Sequence, residues 1–213
     1  MTIYSTQSGL WTDPTMWSSN TVPDLSVDDV VIVTGHVVSV LPATSLTLYP
    51  GRWISVDVGA TLALAGSLQL QSGELVVNCN LAVVTSGVLD VLGGGLFVAN
   101  GSVTVANSGV VYVDADGLMR VTLNGNVDVT GNSYFPVDGT ADIFGNLGVD
   151  PDSYLTVDSG IMRVFGTLRI SGRMSSGSGR IKVVRRDAKI LDYAGNSLIA
   201  FDRMYGYTTA AIV

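Results

Sequence analysis

The amino-acid sequence predicts an all-β protein: a single right-handed parallel β-helix (β-solenoid) of about six to seven short coils with N- and C-terminal caps. The first observation behind this prediction is an apolar–x–apolar unit that recurs from residue 60 to about residue 174. The second is a turn rich in Gly, Asn, Ser or Asp before each unit. The third is composition: 47% of the residues are apolar and only 14% are charged, which argues against disorder.

The recurring unit has the two-residue period of a β-strand, in which alternate side chains point into the core and toward solvent. The polar centres of the units, including Gln69, Asp90 and Asp128, are therefore expected on the outer surface. The units occupy residues 62–64, 68–70, 75–77, 81–83, 89–91, 103–105, 111–113, 119–121, 127–129, 147–149, 155–157, 162–164 and 168–170, and the stretch between 129 and 147 is less regular.

Parallel stacking is favoured over a meander of antiparallel hairpins. Turns such as Asn100-Gly101 and Asn124-Gly125 tolerate positive φ and are also strong hairpin signals, so the meander is the main alternative. The units are shorter than the usual strand, however, and they recur every six to eight residues with the turn included. Three steps make a coil of roughly 20–24 residues, and crossovers between parallel strands are right-handed in about 98% of cases.

The N-terminal part of the chain, residues 1–58, is predicted to form a cap and the first coils. An open-ended solenoid exposes strand edges and apolar core, so its ends need covering. This segment holds all three tryptophans, Trp11, Trp17 and Trp53, whose large side chains are expected to cover the end of the stack.

Residues 59–174 are predicted to be the regular coils, and residues 175–213 a C-terminal cap or a docking arm that orders on a partner, all within one continuous domain. The last segment begins with Ser175-Ser176-Gly177-Ser178-Gly179, which interrupts the repeat, and its composition then changes. The sequence leaves the choice between cap and arm open.

Charge is distributed unevenly along the chain. The net charge is −7, yet residues 1–160 hold two arginines against fifteen acids, whereas residues 161–213 hold nine basic residues against three acids. This distribution predicts an electrostatically bipolar rod whose basic end docks on an acidic surface. The expected docking residues are Arg180, Lys182, Arg185, Arg186, Lys189, Arg203, Tyr205 and Tyr207.

The same numbers bear on the partners. An overall acidic chain is a poor nucleic-acid binder, and no apolar run approaches the roughly 18 residues of a membrane span. We therefore expect neither a nucleic acid nor a membrane as a partner. The low charge content predicts lateral contacts, as in a homotrimer.

The opening of the chain carries a motif of a different kind. It comprises Gly9-Leu-Trp-Thr-Asp-Pro-Thr-Met-Trp17, then Val22-Pro23, Asp28-Asp29-Val30, Ile32 and Gly35-His36-Val37. These 30 or so residues resemble the first coil of secreted bacterial β-helix proteins, including those with the eight-glycine domain of extracellular glycan-handling proteins. The resemblance implies a β-helix fold, and members of that group normally begin with a secretion signal.

The N-terminus here, MTIYSTQSGLW, has no basic start and no apolar stretch of signal-peptide length. If this is the native start, we expect synthesis in the host cytoplasm; a processed or recombinant start is the alternative. An extracellular-type β-solenoid without an export signal is similar to phage tailspikes, fibres and capsid decorations. The resemblance implies localisation in a virion, with the cell surface or the extracellular space as the alternative.

Candidate chemistry is sparse. His36 is the single histidine and is expected to stabilise a turn, and Cys79, the single cysteine, to be a turn or core residue. We expect no catalytic residue, no cofactor and no metal site. The Asp114-Ala-Asp116 and Asp150-Pro-Asp152 segments are possible calcium ligands, although each is too short for a full coordination shell, and turn chemistry explains them more simply.

A polysaccharide-cleaving enzyme is the least favoured hypothesis. Asp28-Asp29 and Arg180-Ile181-Lys182 are similar to fragments of the polygalacturonase type, but the other acids of that family are missing and His36 is followed by Val. The outward acids Asp90, Asp128 and Asp142 are expected to share one face, which is read as a solvated face and not as a carboxylate pair for acid–base work.

The leading hypothesis is therefore a non-enzymatic structural protein of a phage virion: a capsid decoration or cement protein, or a short fibre or tail component. It is expected to dock on other virion or surface-assembly proteins through its basic C-terminal segment. The alternative is a glycan-binding or adhesin module in which Tyr112, Tyr134 and Tyr154 are stacking platforms for sugars.

Overall fold

The computed structural model describes residues 1–121, 125–176, 178–183 and 190–192. The described residues form a β-solenoid, as the sequence predicts, in which three parallel sheets wrap around one apolar core. Strands β3 to β23 make seven complete three-strand turns, and partial turns, β1–β2 and β24–β25, lie at the two ends. Every strand pairing inside the sheets is parallel, which excludes the antiparallel meander. The right-handed sense of the coil stays a prediction.

The strands follow one another in the order first, second and third sheet. The first sheet contains β1 (Thr2–Tyr4), β3 (Asp29–Ile32), β6 (Trp53–Val56), β9 (Glu74–Val77), β12 (Leu96–Ala99), β15 (Leu118–Val121), β18 (Thr140–Ile143), β21 (Ile161–Val164) and β24 (Arg180–Val183). The second contains β2 (Gly9–Leu10), β4 (Val37–Val40), β7 (Thr61–Leu64), β10 (Leu81–Val83), β13 (Val103–Val105), β16 (Val127–Val129), β19 (Leu147–Val149), β22 (Leu168–Ile170) and β25 (Ile190–Asp192). The third contains β5 (Ser45–Leu48), β8 (Ser67–Gln71), β11 (Val88–Leu92), β14 (Val110–Val113), β17 (Tyr134–Pro136), β20 (Tyr154–Val157) and β23 (Arg173–Ser176).

All thirteen predicted apolar units lie in strands, and the two apolar side chains of each unit are buried. The turn length is also as expected, since Phe97 of β12 is in register with Met119, 22 residues further on. The polar centres point outward: Gln69 and Asp90 are half-buried, and Asp128 is exposed. Side chains therefore pack on their equivalents one turn above and below, and this repetition builds the core.

Between β7 and β22, three strands lie outside the predicted units: β12, β17 and β18. In β17 the inward position is Phe135, and the chain continues into Pro136, which ends the apolar alternation. In β18 the outward position is Asp142, which is 3% exposed because it pairs with Arg163 of the next turn. Pro136 and the buried Asp142 break the alternation of apolar and polar residues, so the sequence pattern alone does not reveal these two strands.

At the corner between the first and second sheets, side chains as well as backbone groups form hydrogen bonds between successive turns. Asn126 Oδ1 accepts a hydrogen bond from the Asn146 N–H (2.9 Å), and Asn146 Oδ1 accepts one from the Thr167 N–H (2.7 Å). Beside this asparagine ladder the rings of Phe144 and Phe165 stack with centroids 4.3 Å apart. Equivalent corner residues thus satisfy backbone groups that the sheets leave unpaired.

The N-terminal end is covered by residues that precede β3. Trp11 and Trp17 are buried in an edge-to-face pair with ring centroids 5.0 Å apart, and the Trp17 Nε1–H donates to the Trp11 carbonyl (2.9 Å). Between them lies a 3-10 helix, Pro14–Met16, capped by Asp13, whose carboxylate accepts from the Thr15 N–H. These two tryptophans form the predicted cover.

Trp53 does not belong to this cover, so that part of the prediction is wrong. It is the first residue of β6, its side chain points outward from the first sheet, and it is half-buried. Its inward neighbours Ile54 and Val56 occupy the core. Because the strand period leaves residue 53 on the outer face, the ring covers the side of the solenoid and not its end.

Candidate functional site

The C-terminal end of the described solenoid is basic. Of the predicted docking residues, Arg180 and Lys182 lie on the outward face of β24, where Arg180 is exposed and Lys182 is half-buried. The other six, Arg185, Arg186, Lys189, Arg203, Tyr205 and Tyr207, lie outside the described residues.

Three further arginines, absent from the predicted set, join the first two. Arg163 is on β21 of the first sheet, Arg169 on β22 of the second and Arg173 on β23 of the third. Together with Arg180 and Lys182 they place positive charge on all three faces of the last turns. The sequence did contain a signal for them: residues 159–186 include six arginines and one lysine but no acid. We shall call Arg163, Arg169, Arg173, Arg180 and Lys182 the basic end.

Arg163 and Arg173 of the basic end contact neighbouring side chains. Arg163 makes a bidentate ion pair with Asp142, with Nε and a terminal nitrogen 2.5 and 2.7 Å from the two carboxylate oxygens. The guanidinium of Arg173 lies 5.4 Å from the centroid of the Tyr154 ring, within cation–π range. These contacts fix both side chains against the surface.

The three tyrosines expected as sugar platforms lie on one face, that of the third sheet. Tyr134 and Tyr154 are in register on the adjacent strands β17 and β20 and are 38% and 37% exposed. The Tyr134 hydroxyl is 3.0 Å from Thr156 Oγ1. Tyr112, on β14, is half-buried. We call Tyr134, Tyr154, Thr156 and Arg173 the tyrosine column.

Tyr112 is held by carboxylates instead of presenting a free ring edge. Its hydroxyl lies 3.0 Å from Asp138 Oδ2 and 3.1 Å from Asp114 Oδ1. Burial of the phenol, followed by the hydrogen bonds to Asp138 and Asp114, raises the pKa of Tyr112. The neutral phenol is therefore a fixed donor that joins two turns of the third sheet.

The outward acids do not share a face, contrary to the expectation. Asp90 lies on the third sheet, Asp128 on the second and Asp142 on the first. The reason is the order of the strands: consecutive units belong to successive sheets, so only residues about 22 positions apart are neighbours on one face. Three acids on three sheets cannot act on one substrate as a carboxylate pair.

The environments of these acids also differ. Burial raises the pKa of Asp90, and the Gln69 side-chain amide, 3.3 Å away, partly opposes that shift. Burial and the neighbouring charge of Asp150 raise the pKa of Asp128. Asp142 is paired with Arg163 and inaccessible. Each acid is accommodated by its own surroundings.

A shallow pocket of about 260 Å³ lies on the second sheet near the basic end. Gly148 separates Asp128 and Arg169 in register and leaves room for the Asp128 carboxylate, whose Oδ1 lies 3.1 Å from the place of a Cβ on residue 148. The lining residues are Asn126, Asp128, Asn146, Leu147, Gly148, Thr167 and Arg169. The amide oxygens of Asn126 and Asn146 are already used in the asparagine ladder.

The possible calcium ligands lie at or next to turns between strands. Asp116, Asp150 and Asp152 are exposed at turns, and Asp114 binds the Tyr112 hydroxyl. Within the described ranges, no three His, Cys, Asp or Glu side chains are grouped so as to hold a metal ion. Turn chemistry accounts for these acids.

His36 joins the cap to the first complete turn. Its Nδ1 lies 2.8 Å from the hydroxyl of Ser5, which is 3% exposed and also accepts a hydrogen bond from the Val33 N–H (2.9 Å). This is the turn-stabilising role expected of the histidine. Cys79 lies at a corner, where its thiol donates to the Ala60 carbonyl. Burial raises the pKa of the Cys79 thiol, which favours its protonated form.

The two polygalacturonase-like fragments are at opposite ends of the first sheet. Asp29 is on β3 and Arg180 on β24, with six strands between them. At about 4.8 Å per strand the separation is roughly 34 Å. Asp28 binds the N-terminal amine, and Asp29 lies 3.6 Å from the guanidinium of Arg52. The two fragments do not meet.

Comparison of the chain with protein-family models, with curated proteins and with solved structures finds no match. No helix in the described part of the chain is long and apolar enough to cross a membrane.

Proposed function

We propose that this chain is a non-enzymatic structural protein of a phage virion, a capsid decoration or cement protein or a short fibre or tail component, that docks through the C-terminal end of its solenoid. The observation that carries the proposal is the basic end, which sets Arg163, Arg169, Arg173, Arg180 and Lys182 around the last turns. The rest of the chain is acidic: residues 1–160 carry fifteen acids and two arginines.

The distribution of charge supports docking by the end of the rod and not by its flank. At physiological ionic strength a charge is screened over about 8 Å. Because of this screening, the charges of the basic end act only on a surface in direct contact with it. The acidic turns further along the solenoid would be repelled by an acidic docking surface. An acidic docking surface orients the rod with its C-terminal end inward and its N-terminal cap outward.

The architecture supports a spacer role. Nine strands of the first sheet follow one another without a break from β1 to β24, a stack of roughly 38 Å at about 4.8 Å per strand. Successive turns are fixed to one another by three ladders of backbone hydrogen bonds. The asparagine ladder adds side-chain hydrogen bonds between the turns that contain β16, β19 and β22. Such a rod holds its outer end at a constant height above the docking surface.

Co-sedimentation with particles tests this proposal. Intact particles from the source lysate are analysed by mass spectrometry, and the purified protein is then added to particles that lack it. We expect stoichiometric presence on particles, with a copy number that separates an abundant shell decoration from a rare fibre. Absence from every particle contradicts the proposal and shifts the weight to the glycan-binding alternative below.

The basic end is tested by matched charge changes. Arg180→Gln with Lys182→Gln lowers the net charge by two at the basic end, and Thr104→Glu with Thr140→Glu lowers it by two in the middle of the rod. All four positions point outward, so the core is untouched. We expect particle binding to weaken about tenfold or more in the first variant only. Equal effects mean that net charge alone governs binding.

A glycan-binding role is the second candidate, and it is favoured by the tyrosine column. Two exposed rings on adjacent strands, with the Thr156 hydroxyl and the Arg173 guanidinium beside them, combine apolar platforms with hydrogen-bonding groups. Tyr134→Ala with Tyr154→Ala is expected to abolish binding on a glycan array, whereas Tyr4→Ala with Tyr49→Ala, which removes two exposed tyrosines elsewhere, leaves it unchanged. Loss of binding in both variants contradicts this role for the column.

A further inference from the structure

The tyrosine column sets two rings and one arginine at equivalent positions of three successive turns. Tyr134, Tyr154 and Arg173 are in register on β17, β20 and β23, and each is the first residue of its strand. All three side chains are exposed. A ligand that lies along this part of the third sheet therefore meets both rings and the guanidinium.

The Tyr134 ring leans across the sheet toward the next turn. Its hydroxyl is 3.0 Å from Thr156 Oγ1, and Thr156 lies on the adjacent strand, two positions further along than the residue in register with Tyr134. The hydroxyl is thereby held in place while 38% of the residue stays exposed. A fixed, exposed aromatic ring offers a large apolar surface, which suits the apolar face of a sugar ring.

Tyr154 has a different role, because Arg173 lies over it. The guanidinium carbon is 5.4 Å from the centroid of the Tyr154 ring, a cation–π contact that holds the Arg173 side chain against the sheet. Arg52 and Arg163 are each paired with an aspartate, whereas Arg173 forms no ion pair with any described residue. Its guanidinium N–H groups are therefore positioned but not engaged by a carboxylate of this surface.

We infer that the tyrosine column binds an acidic glycan, a polysaccharide whose sugar rings carry carboxylate groups. The sugar ring packs on Tyr134, and its carboxylate accepts two hydrogen bonds from Arg173, because the planar fork of a guanidinium matches the two oxygens of a carboxylate. This inference rests on the glycan-binding role given above as the second candidate, and it adds the class of glycan.

The spacing of the column suits one sugar ring and its carboxylate. Neighbouring strands lie about 4.8 Å apart, and the Arg173 side chain extends from β23 back over Tyr154 on β20. The positive charge is therefore one strand from Tyr134 and not two. A carboxylate bonded directly to a sugar ring on Tyr134 spans about this distance.

The charges of this part of the third sheet also favour an anion. The outward positions of β17, β20 and β23 hold a single charged residue, Arg173. Acids lie to the sides of the column, at turns: Asp152 before β20, Asp158 after it and Asp138 after β17. Because like charges repel, these acids favour an acidic chain that follows the column along the solenoid axis over one that crosses the sheet.

A neutral glycan and an acidic peptide are the two alternatives. A neutral glycan packs on the ring but brings no anion to Arg173. An acidic peptide brings the anion but has no sugar ring for Tyr134. The acidic glycan uses both groups, so charge and ring can be tested one at a time.

Three polymers separate these possibilities. Polygalacturonate has sugar rings and carboxylates, its fully methyl-esterified form has the rings without the charge, and polyglutamate has the charge without the rings. Dissociation constants of the full chain are measured by biolayer interferometry on each immobilised polymer. We expect polygalacturonate to bind about tenfold or more tightly than either of the others, since only it engages both the ring and the guanidinium.

Variants assign the preference to Arg173. Arg173→Gln is expected to weaken binding of polygalacturonate about tenfold and to leave binding of the methyl ester unchanged. Arg173→Lys keeps the charge without the planar fork and is expected to fall between the two. Arg180→Gln, which removes an exposed arginine of the first sheet, is the matched control and changes neither. Circular dichroism verifies that the variants are folded.

The outcomes that overturn the inference are distinct. Equal affinity for polygalacturonate and its methyl ester overturns it and leaves the glycan-binding role standing. Equal affinity for polyglutamate, or an equal loss in Arg180→Gln, means that charge alone is recognised and also overturns it. Binding to neither polysaccharide overturns the inference together with the glycan-binding role. Particle docking is tested separately by Arg180→Gln with Lys182→Gln, which leaves the column intact.

Discussion

The N-terminal cap and the regular turns are stabilised in different ways. In the turns, each buried side chain packs on its equivalents in the turns above and below, as Phe97 packs between the positions of Leu75 and Met119. In the cap, single contacts carry the structure: the Trp11–Trp17 pair and the Ser5 hydroxyl, which bridges to His36. Repetition spreads the stabilising free energy over many positions, whereas the cap depends on a few residues.

The largest expected effect comes from the core of the turns. Phe97→Ala removes the ring of a fully buried residue in the fourth complete turn, and such truncations cost about 4 kcal/mol of unfolding free energy. Phe144→Ala, which removes a half-buried ring of the corner stack, is the matched control and is expected to cost about 1 kcal/mol. Urea unfolding, monitored by far-ultraviolet circular dichroism, measures both losses of unfolding free energy. Similar losses would contradict the conclusion that the stacked inward side chains supply most of the stability.

The next largest effect is expected at a glycine where two successive turns approach closely. A Cβ at Gly145 would meet the carbonyl oxygen of Gly125 in the preceding turn at far less than contact distance. Gly145→Ala therefore forces the two turns apart, and we expect a loss of about 3 kcal/mol.

The control lies in the same turn. Gly148→Ala adds a methyl group on the outer face, where its nearest neighbour is the Asp128 carboxylate at 3.1 Å, an atom that can move aside. We expect a change below about 1 kcal/mol. A large loss for Gly148→Ala with none for Gly145→Ala would contradict the placement of Gly145 at a tight corner and of Gly148 on the open outer face.

The cap is tested by its two tryptophans. The Trp17 Nε1–H donates to the Trp11 carbonyl, whereas the Trp11 Nε1–H is buried with no hydrogen-bond partner among the described residues. Both Trp→Phe changes remove similar volume, but only Trp17→Phe removes a hydrogen bond. We therefore expect it to cost about 1 kcal/mol more than Trp11→Phe. Urea unfolding followed by tyrosine fluorescence and circular dichroism checks this difference, and equal losses leave the hydrogen bond without a measurable contribution.

The smallest expected effect is a difference in the sign of pH dependence. Hydrogen bonds from the Thr15 side chain and backbone lower the pKa of Asp13 in the cap, so its contribution to stability is present above the unfolded pKa of about 4 and is lost as pH falls. Burial raises the pKa of Asp90 in the turns, so stability there is lost as pH rises through the raised value.

Asparagine variants separate the two signs. Asp13→Asn is expected to flatten the pH dependence of the urea midpoint below about pH 4, and Asp90→Asn to flatten it above about pH 4. Measurements between about pH 3 and pH 7 cover both windows. If both variants flatten the same side, the cap and the turns do not differ in this respect.

The fold was predictable to the extent that it repeats. Residues 81–83 and the equivalent units are recognisable as strands from the sequence, because two apolar residues, here Leu81 and Val83, flank a small outward residue. The strand β18 was missed because Asp142 reads as a solvated acid, and only its Arg163 partner one turn later explains its burial. A position's neighbours in a solenoid lie about 22 residues away, beyond the reach of a local pattern.

The surfaces were less predictable than the core. Composition indicated a basic C-terminal segment, but only the assignment of strands to sheets shows that Arg163, Arg169 and Arg173 surround the end of the rod. In the sequence, Val76 and Val98 look like any apolar strand residue, and their outward direction follows only from the register of the core. The three acids Asp90, Asp128 and Asp142 were misplaced for the same reason.

The direction of the backbone hydrogen bonds has a mechanical consequence. Strands lie across the rod, so the ladders between them run along its axis, and a pull on the two ends loads one turn at a time instead of shearing a whole sheet. Under tension the chain should peel from an end in steps of one coil, each releasing about 22 residues and roughly 75 Å of extended length. Under compression the same stacked turns bear directly on one another, and the rod stays stiff.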